Sequence, residues 1–422
     1  MSNLQLAIYF FFQIAVILAV CQAVGKVAAR FGQPQVVAEM IAGVMLGPSL
    51  LGWLWPEAFA RLFPKETLRV LFPVSQLGLA AYMFVVGMEF RVDIVRDRFR
   101  SAVAVSTAGM AAPFVLGGLL GWYFHAETAL FPADVSRMEA ILFLGASMCI
   151  TAFPMLARII HFKGLAGTTM GTVALGAGAI DDAAAWCLLA LVLASFDDQP
   201  ARALLNIGGG IGYVLVTLGV VRPILARWAR AIEGRGVLSD REFVVCLVCL
   251  ALGAWFTDLI GLHAVFGAFT MGVAMPRGLV TRALIERIQP LTVALLLPFF
   301  FTYSGLNTQI TLLDTAALWG MAGLVLAAAM AGKGGACWLA ARATGISHRE
   351  SLGIGTLMNA RGLMELIIIN IGLERGLITP SLFAALVIMA VVTTLMASPV
   401  FDRLVHRGSA AAPPMPRGEF TN

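Results

Sequence analysis

Residues 145–160 read GASMCITAFPMLARII, an apolar stretch interrupted at its middle by Ser147, Thr151 and Pro154. Residues 355–370 read GTLMNARGLMELIIIN and are interrupted at similar depth by Asn359, Arg361, Gly362 and Glu365. Taken singly, Pro154 reads as a tolerated kink and Gly362 as a packing contact. Their occurrence at corresponding places predicts two broken helices, which supply freed carbonyls and half-helix ends to an ion near the bilayer midplane.

The surroundings of both stretches are membrane-spanning. Of 422 residues 59% are hydrophobic and 13% charged, against about 25% charged in a soluble domain. Thirteen spans are predicted, near 5–24, 35–54, 69–90, 98–122, 139–161, 166–196, 203–230, 241–256, 259–276, 283–305, 314–341, 350–373 and 378–402. The fold class is therefore an all-α polytopic membrane protein. An odd count suits two six-helix repeats joined by one linking span, which inverts the second repeat relative to the first. The span at 139–161 then corresponds to that at 350–373. The first span begins near Leu4 without a charged leader or cleavage site and reads as a retained helix. Residues 1–407 form one membrane transport domain, and 408–422 (GSAAAPPMPRGEFTN) are expected to be a disordered tail.

The net charge of +5 is topological. Distributed over alternating loops, 21 Lys and Arg fall on one side and 6 on the other, with Lys333 and Arg361 inside spans. The positive-inside rule places the N-terminus outside and the C-terminus in the cytoplasm. Nothing points to a nucleic-acid partner or a cofactor. All six cysteines lie within spans, and the lone CxxC at Cys246 and Cys249 sits in apolar surroundings, so it reads as packing. His263 likewise reads as a packed helix residue.

Charges inside the hydrocarbon carry the functional signal, since each costs roughly 2.5–3.5 kcal/mol near a helix centre. Asp181 and Asp182 lie mid-span, as do Lys333, Arg361 and Glu365. Consecutive helical residues point about 100° apart, so one aspartate can meet a cation on another helix while its neighbour faces a cavity. Arg361 and Glu365 are spaced to pair locally. With Glu39 and Asp258 set aside as peripheral, three carboxylates against two basic groups leave one negative charge, which a monovalent cation or a proton neutralises. A carboxylate out of water favours its protonated form and, like other oxygen ligands, suits hard cations. Ser147, Thr151 and the freed carbonyls are candidate helpers. One such site holds proton or cation in turn, and obligatory exchange follows.

At this point the sequence resembles the monovalent cation:proton antiporter-2 family, over residues 8–403. The carrying segments are PQVVAEMIAGVMLGPSLLG (34–52), GLAAYMFVVGMEF (78–90), SMCITAFPMLARII (147–160), GAGAIDDAAAW (176–186), GLHAVFGAFTMGV (261–273), LPFFFTYSGL (297–306) and MNARGLMELIIINIG (358–372). The resemblance implies a sodium/proton antiporter-like fold with an elevator-type mobile core at about 98–196 and 314–402. It implies a dimerisation panel at 5–90 and 241–305, a linker helix at 203–230, and a homodimer in a bacterial inner membrane. The two broken spans would cross. Asp182 would bind the ion and proton, Asp181 would pair with Lys333, and Thr151, Asn359, Arg361 and Glu365 would lie at the crossover. Transport would be electrogenic and serve pH homeostasis. No nucleotide-binding domain is expected after the last span, and the residue before the essential Asp differs from the usual potassium-efflux pattern. Both points favour sodium, with lithium as a substitute, over potassium.

Three other classes fit less well. A cation channel needs weak binding, whereas adjacent acids with a buried lysine form a trap. An intramembrane aspartyl protease needs facing carboxylates on separate helices, and here they are consecutive. A sodium-coupled symporter for organic anions would show substrate-dependent sodium uptake.

Overall fold

The computed structural model describes residues 2–31, 33, 35–89, 98–127, 130–165, 167–195 and 200–405. The expected tail at 408–422, the basic residues Arg91, Arg96, Arg407 and Arg417, and the Pro154 side chain lie outside what is described. Every regular element among the described residues is helical. The first half comprises α1 (Asn3–Arg30), α2 (Gln35–Leu46), α3 (Lys65–Glu89), α4 (Phe99–Glu127), α5 (Arg137–Cys149), α6 (Phe153–Phe162) and α7 (Thr169–Ser195). A connecting segment follows as α8 (Pro200–Val216) and α9 (Arg222–Glu233), joined by a π-turn at Thr217–Val221. The second half comprises α10 (Asp240–Leu259), α11 (Ala264–Ala274), α12 (Leu279–Leu291) and α13 (Leu297–Leu306), then α14 (Ala316–Met330) and α15 (Ala336–Ala343). It ends with α16 (His348–Leu357), α17 (Leu363–Glu374) and α18 (Pro380–Val405). Among the described residues nine helices are long and apolar enough to cross a membrane.

The outside of the molecule is greasy, as a bilayer demands. On α10 the exposed residues Val244, Val248, Leu252, Trp255 and Leu259 follow helical spacing and form one lipid-facing stripe. Close helix pairs are built on small residues. A Cβ placed on Gly305 of α13 would lie 2.1 Å from the Gly43 backbone of α2, and one on Gly87 of α3 2.2 Å from the Phe269 carbonyl of α11. One large buried cluster joins Val37, Met83, Phe269 and Phe301 to Met148, Leu366 and Phe383, so both broken helices rest against the other helices of the bundle.

One predicted span is interrupted and another is shorter than expected. The stretch at 35–54 is long and apolar enough to cross a membrane as predicted, but its helix breaks after Leu46 and resumes at Leu51–Leu54, before a short helix at Pro56–Leu62. Gly47 precedes Pro48, and the residue before a proline is disfavoured in helical conformation. The stretch at 259–276 is a turn until Ala264, with positive φ at both Gly261 (80°) and His263 (77°). Glu39 also differs: it was set aside as peripheral, yet it is 2% exposed, facing Cys21 of α1.

The two interruptions are real breaks. α5 stops at Cys149 and Ile150 is extended (φ −78°, ψ 139°). Pro154 then occupies the second position of α6, where a missing N–H removes no ladder bond, whereas in a continuous helix it would clash with the fourth residue before it. The second break runs from Met358 to Gly362 between α16 and α17. The two breaks touch: the Ala152 amide donates to the Ala360 carbonyl at 3.4 Å. A Cβ on Gly362 would come within 2.9 Å of the Met155 side chain and 3.2 Å of Ala152. The crossing is that close because residue 362 has no side chain.

Candidate functional site

Four half-helix ends meet at this crossing, and they carry opposite partial charges. The C-terminal end of α5 leaves carbonyls facing inward, and the ammonium of Lys333 donates to the Cys149 carbonyl. Lys333 sits in a π-turn (Ala331–Gly335) between α14 and α15 and is fully buried. The same ammonium lies 3.3 Å from Asp181 Oδ2. Asp181 is saturated on both sides: Oδ1 accepts from Ser106 of α4 at 2.6 Å, and Oδ2 also accepts from the Thr151 hydroxyl at 2.5 Å.

Asp182 is placed differently by one residue of helical rotation. Its Oδ1 faces the N-terminus of α6, where the Phe153 amide approaches to 3.5 Å. Its Oδ2 has no hydrogen-bond partner among the described residues, although the side chain is fully buried. Burying a carboxylate oxygen without a donor is costly. The adjacent helix N-terminus favours negative charge there.

A second charge pair borders the crossing. Arg361 Nη1 lies 3.1 Å from Glu365 Oε1, both buried. Arg361 Nε and Nη2, Glu365 Oε2 and Asn359 Oδ1 have no partner among the described residues. The Arg361 backbone is pinned by Thr394 of α18, whose hydroxyl accepts from its amide at 3.1 Å and meets its carbonyl at 2.7 Å.

Asp181, Asp182, Thr151 and Lys333 therefore share one cluster, with Asn359, Arg361 and Glu365 on the second break. Ser147 is turned into its own helix, donating to the Phe143 carbonyl at 2.8 Å. Ser106 and Thr394 were not anticipated, whereas the Cys149 carbonyl and the Phe153 amide are the freed carbonyl and half-helix end expected at a break. Polar residues mid-span at 106–107 and 393–394 were the available signal for the first two. Among the described residues no group of three His, Cys, Asp or Glu could hold a metal in a cage. What the cluster offers is one buried carboxylate with a free oxygen, beside a neutralised one.

Helices that break and cross at buried charges, in a shell that is apolar outside, define a membrane transporter and not an enzyme. The model of the family described as sodium/hydrogen exchanger, transmembrane, matches residues 15–407, and the chain belongs to that family. It is 39% identical over 393 residues to the Na(+)/H(+) antiporter NhaS4 of Synechocystis, covering 93% of this chain and 96% of that one. It is 31% identical to K(+)/H(+) antiporter 1 of Saccharomyces cerevisiae over 95% of its own length, spanning 46% of that longer protein. The sodium proton antiporter MjNhaP1 of Methanocaldococcus jannaschii has the same fold, with a TM-score of 0.62 at 14% identity, over 94% of this chain and 96% of that one. The chain is thus a secondary transporter of the monovalent cation:proton antiporter type.

Proposed function

We propose that Asp182 is the shared binding site for proton and cation, and that the cation is sodium, with lithium as a substitute. The observation that carries this reading is the contrast within one dipeptide. Asp181 has all its neighbours' hydrogens and a lysine; Asp182 has an oxygen to give. Thr151 and Lys333 act through Asp181 by fixing its charge, and the α6 N-terminus orients Asp182. In this reading thirteen helices cross the membrane as two inverted repeats. A core built on α4–α7 and α14–α18 slides against a panel of α1–α3 and α10–α13, in a homodimer with its N-terminus outside and C-terminus in the cytoplasm. The support is the crossing of two breaks in opposite halves of the chain and the one-sided placement of basic residues.

The test is exchange in proteoliposomes with sodium, lithium and potassium compared in parallel, for the protein and for Asp182→Asn. The variant keeps the side chain's shape and loses its titratable charge, so exchange should vanish while the protein stays monodisperse and helical. Normal exchange by Asp182→Asn would remove the site assignment. Potassium is the second reading, favoured by the yeast relative whose name specifies it. Saturation by potassium at lower concentration than sodium would select it.

A further inference from the structure

The end of α17 faces a small cavity away from Asp182, with room for about one water. Its polar lining comes from four elements: Gln76 on α3, His263 before α11, Tyr303 on α13, and Asn370 and Glu374 on α17. Five polar groups surround this space: Asn370 is buried, Gln76, His263 and Tyr303 are half-buried, and Glu374 lies exposed at its rim. We propose that Gln76, Tyr303, Asn370 and Glu374 form a second monovalent-cation site, one that bridges the core to the panel and holds the seam between them shut. The proposal rests on the reading of the chain as an antiporter whose core slides against its panel.

The donor set points to the class of ligand. Asn370 spends its amide hydrogens on Ser304 Oγ at 3.1 Å and on the Leu366 carbonyl at 2.7 Å, so the group it has left to offer is its carbonyl oxygen. Gln76 can present an amide oxygen and Tyr303 a phenol oxygen, and Glu374 supplies one negative charge. Neutral oxygens with a single carboxylate suit a hard cation of single charge. His263 is fixed beside them in an unusual backbone state. Among the described residues it is the one non-glycine with positive φ, at 77°. Its carbonyl accepts from the Thr257 hydroxyl at 3.1 Å, and its Nδ1 caps α11 through the Val265 amide at 3.5 Å.

The same seam is crossed by the hydrogen bond from Asn370 to Ser304 of α13. Ligands from α17 on one side and from α3 and α13 on the other cannot stay together when the core slides. An ion bound here opposes opening of the seam, and opening releases it. Cation on this face thus plays two parts, as substrate at Asp182 and as a clamp at the seam.

Initial exchange rates in oriented proteoliposomes, over a wide range of sodium on either face, read this directly. With sodium on the face where α17 ends, the rate should climb and then fall; with sodium on the other face it should only climb. Glu374→Gln should move the falling limb at least about tenfold higher in concentration, and Glu374→Asp should retain it. A wild-type curve that saturates identically on both faces, or a falling limb untouched by Glu374→Gln, overturns the clamp. Thallium density in the unmodified protein decides the site without any variant. A peak between Glu374 and Asn370 supports it, and thallium at Asp182 with water alone in the cavity refutes it. Absence of any exchange by the unmodified protein would count against the antiporter reading, which thallium binding tests separately.

Discussion

Lys333 serves two groups at once, the Cys149 carbonyl and the Asp181 carboxylate. Replacing it with glutamine leaves a buried carboxylate without its counter-charge, and breaking such a pair costs about 3–5 kcal/mol. Lys333→Gln should therefore melt several degrees lower in detergent. If Lys333 also gives up its proton when Asp182 binds a cation, the variant should lose the response of transport to membrane potential. A wild-type rate indifferent to voltage would confine Lys333 to the structural part. Ser106→Ala tests the other side of Asp181: an unsatisfied buried oxygen costs about 1–3 kcal/mol, so loss of stability is expected without loss of ion selectivity. Asp181, Asp182 and Lys333 were legible in the sequence because charges in hydrocarbon are rare and need a reason. Ser106 and Thr394 were not, because a hydroxyl in an apolar helix commonly bonds its own backbone, as Ser147 does. Freed carbonyls at the first break were expected from its residue types, but not that Lys333 would meet the one from Cys149.

At the scale of elements, both breaks could be read from residue types, Pro154 in one and the Asn-Ala-Arg-Gly run in the other. How they touch could not. The contact depends on the Ala152 amide reaching the Ala360 carbonyl and on a bare Cα at residue 362, and pairings this distant in sequence leave no local pattern. Gly362→Val should force the breaks apart, since even a Cβ would meet Met155 at 2.9 Å. Exchange should fall by at least about tenfold, consistent with the sensitivity of an active geometry to displacements near 1 Å. Gly305→Val attacks a different contact, the α2–α13 packing at Gly43. It should lower thermal stability while leaving the apparent affinity for the cation in the surviving protein unchanged. The interruption inside the span at 35–54 and the late start of the span at 259–276 have local causes, Pro48 in one case and Gly261 with His263 in the other. Hydropathy alone passes over these points.

For the molecule as a whole, one shared site makes a quantitative demand on acidity. If proton and sodium compete for Asp182 as proposed, the apparent KM for sodium should rise as pH falls, approaching tenfold per unit once protons dominate, or about 1.4 kcal/mol. The maximal rate at saturating sodium should stay level. A matrix of initial rates over sodium concentration and pH measures both. A KM that ignores pH while the maximal rate changes would mean that protons travel by another route. The general architecture was legible at this scale: an apolar shell, a one-sided basic charge and short loops left the helices as the place where function must lie.

The bond between Ala152 and Ala360 also bears on how the protein is made. Its partners are roughly 200 residues apart, and such distant contacts form late. During synthesis the first break enters the bilayer before the second exists, with unpaired amides and carbonyls that lipid cannot satisfy. The nascent first half is consequently a client for whatever shelters polar backbone during insertion. Chains stopped ahead of residue 348 should be cleared rapidly by membrane proteases, and co-expression of the missing half as a separate polypeptide should rescue them.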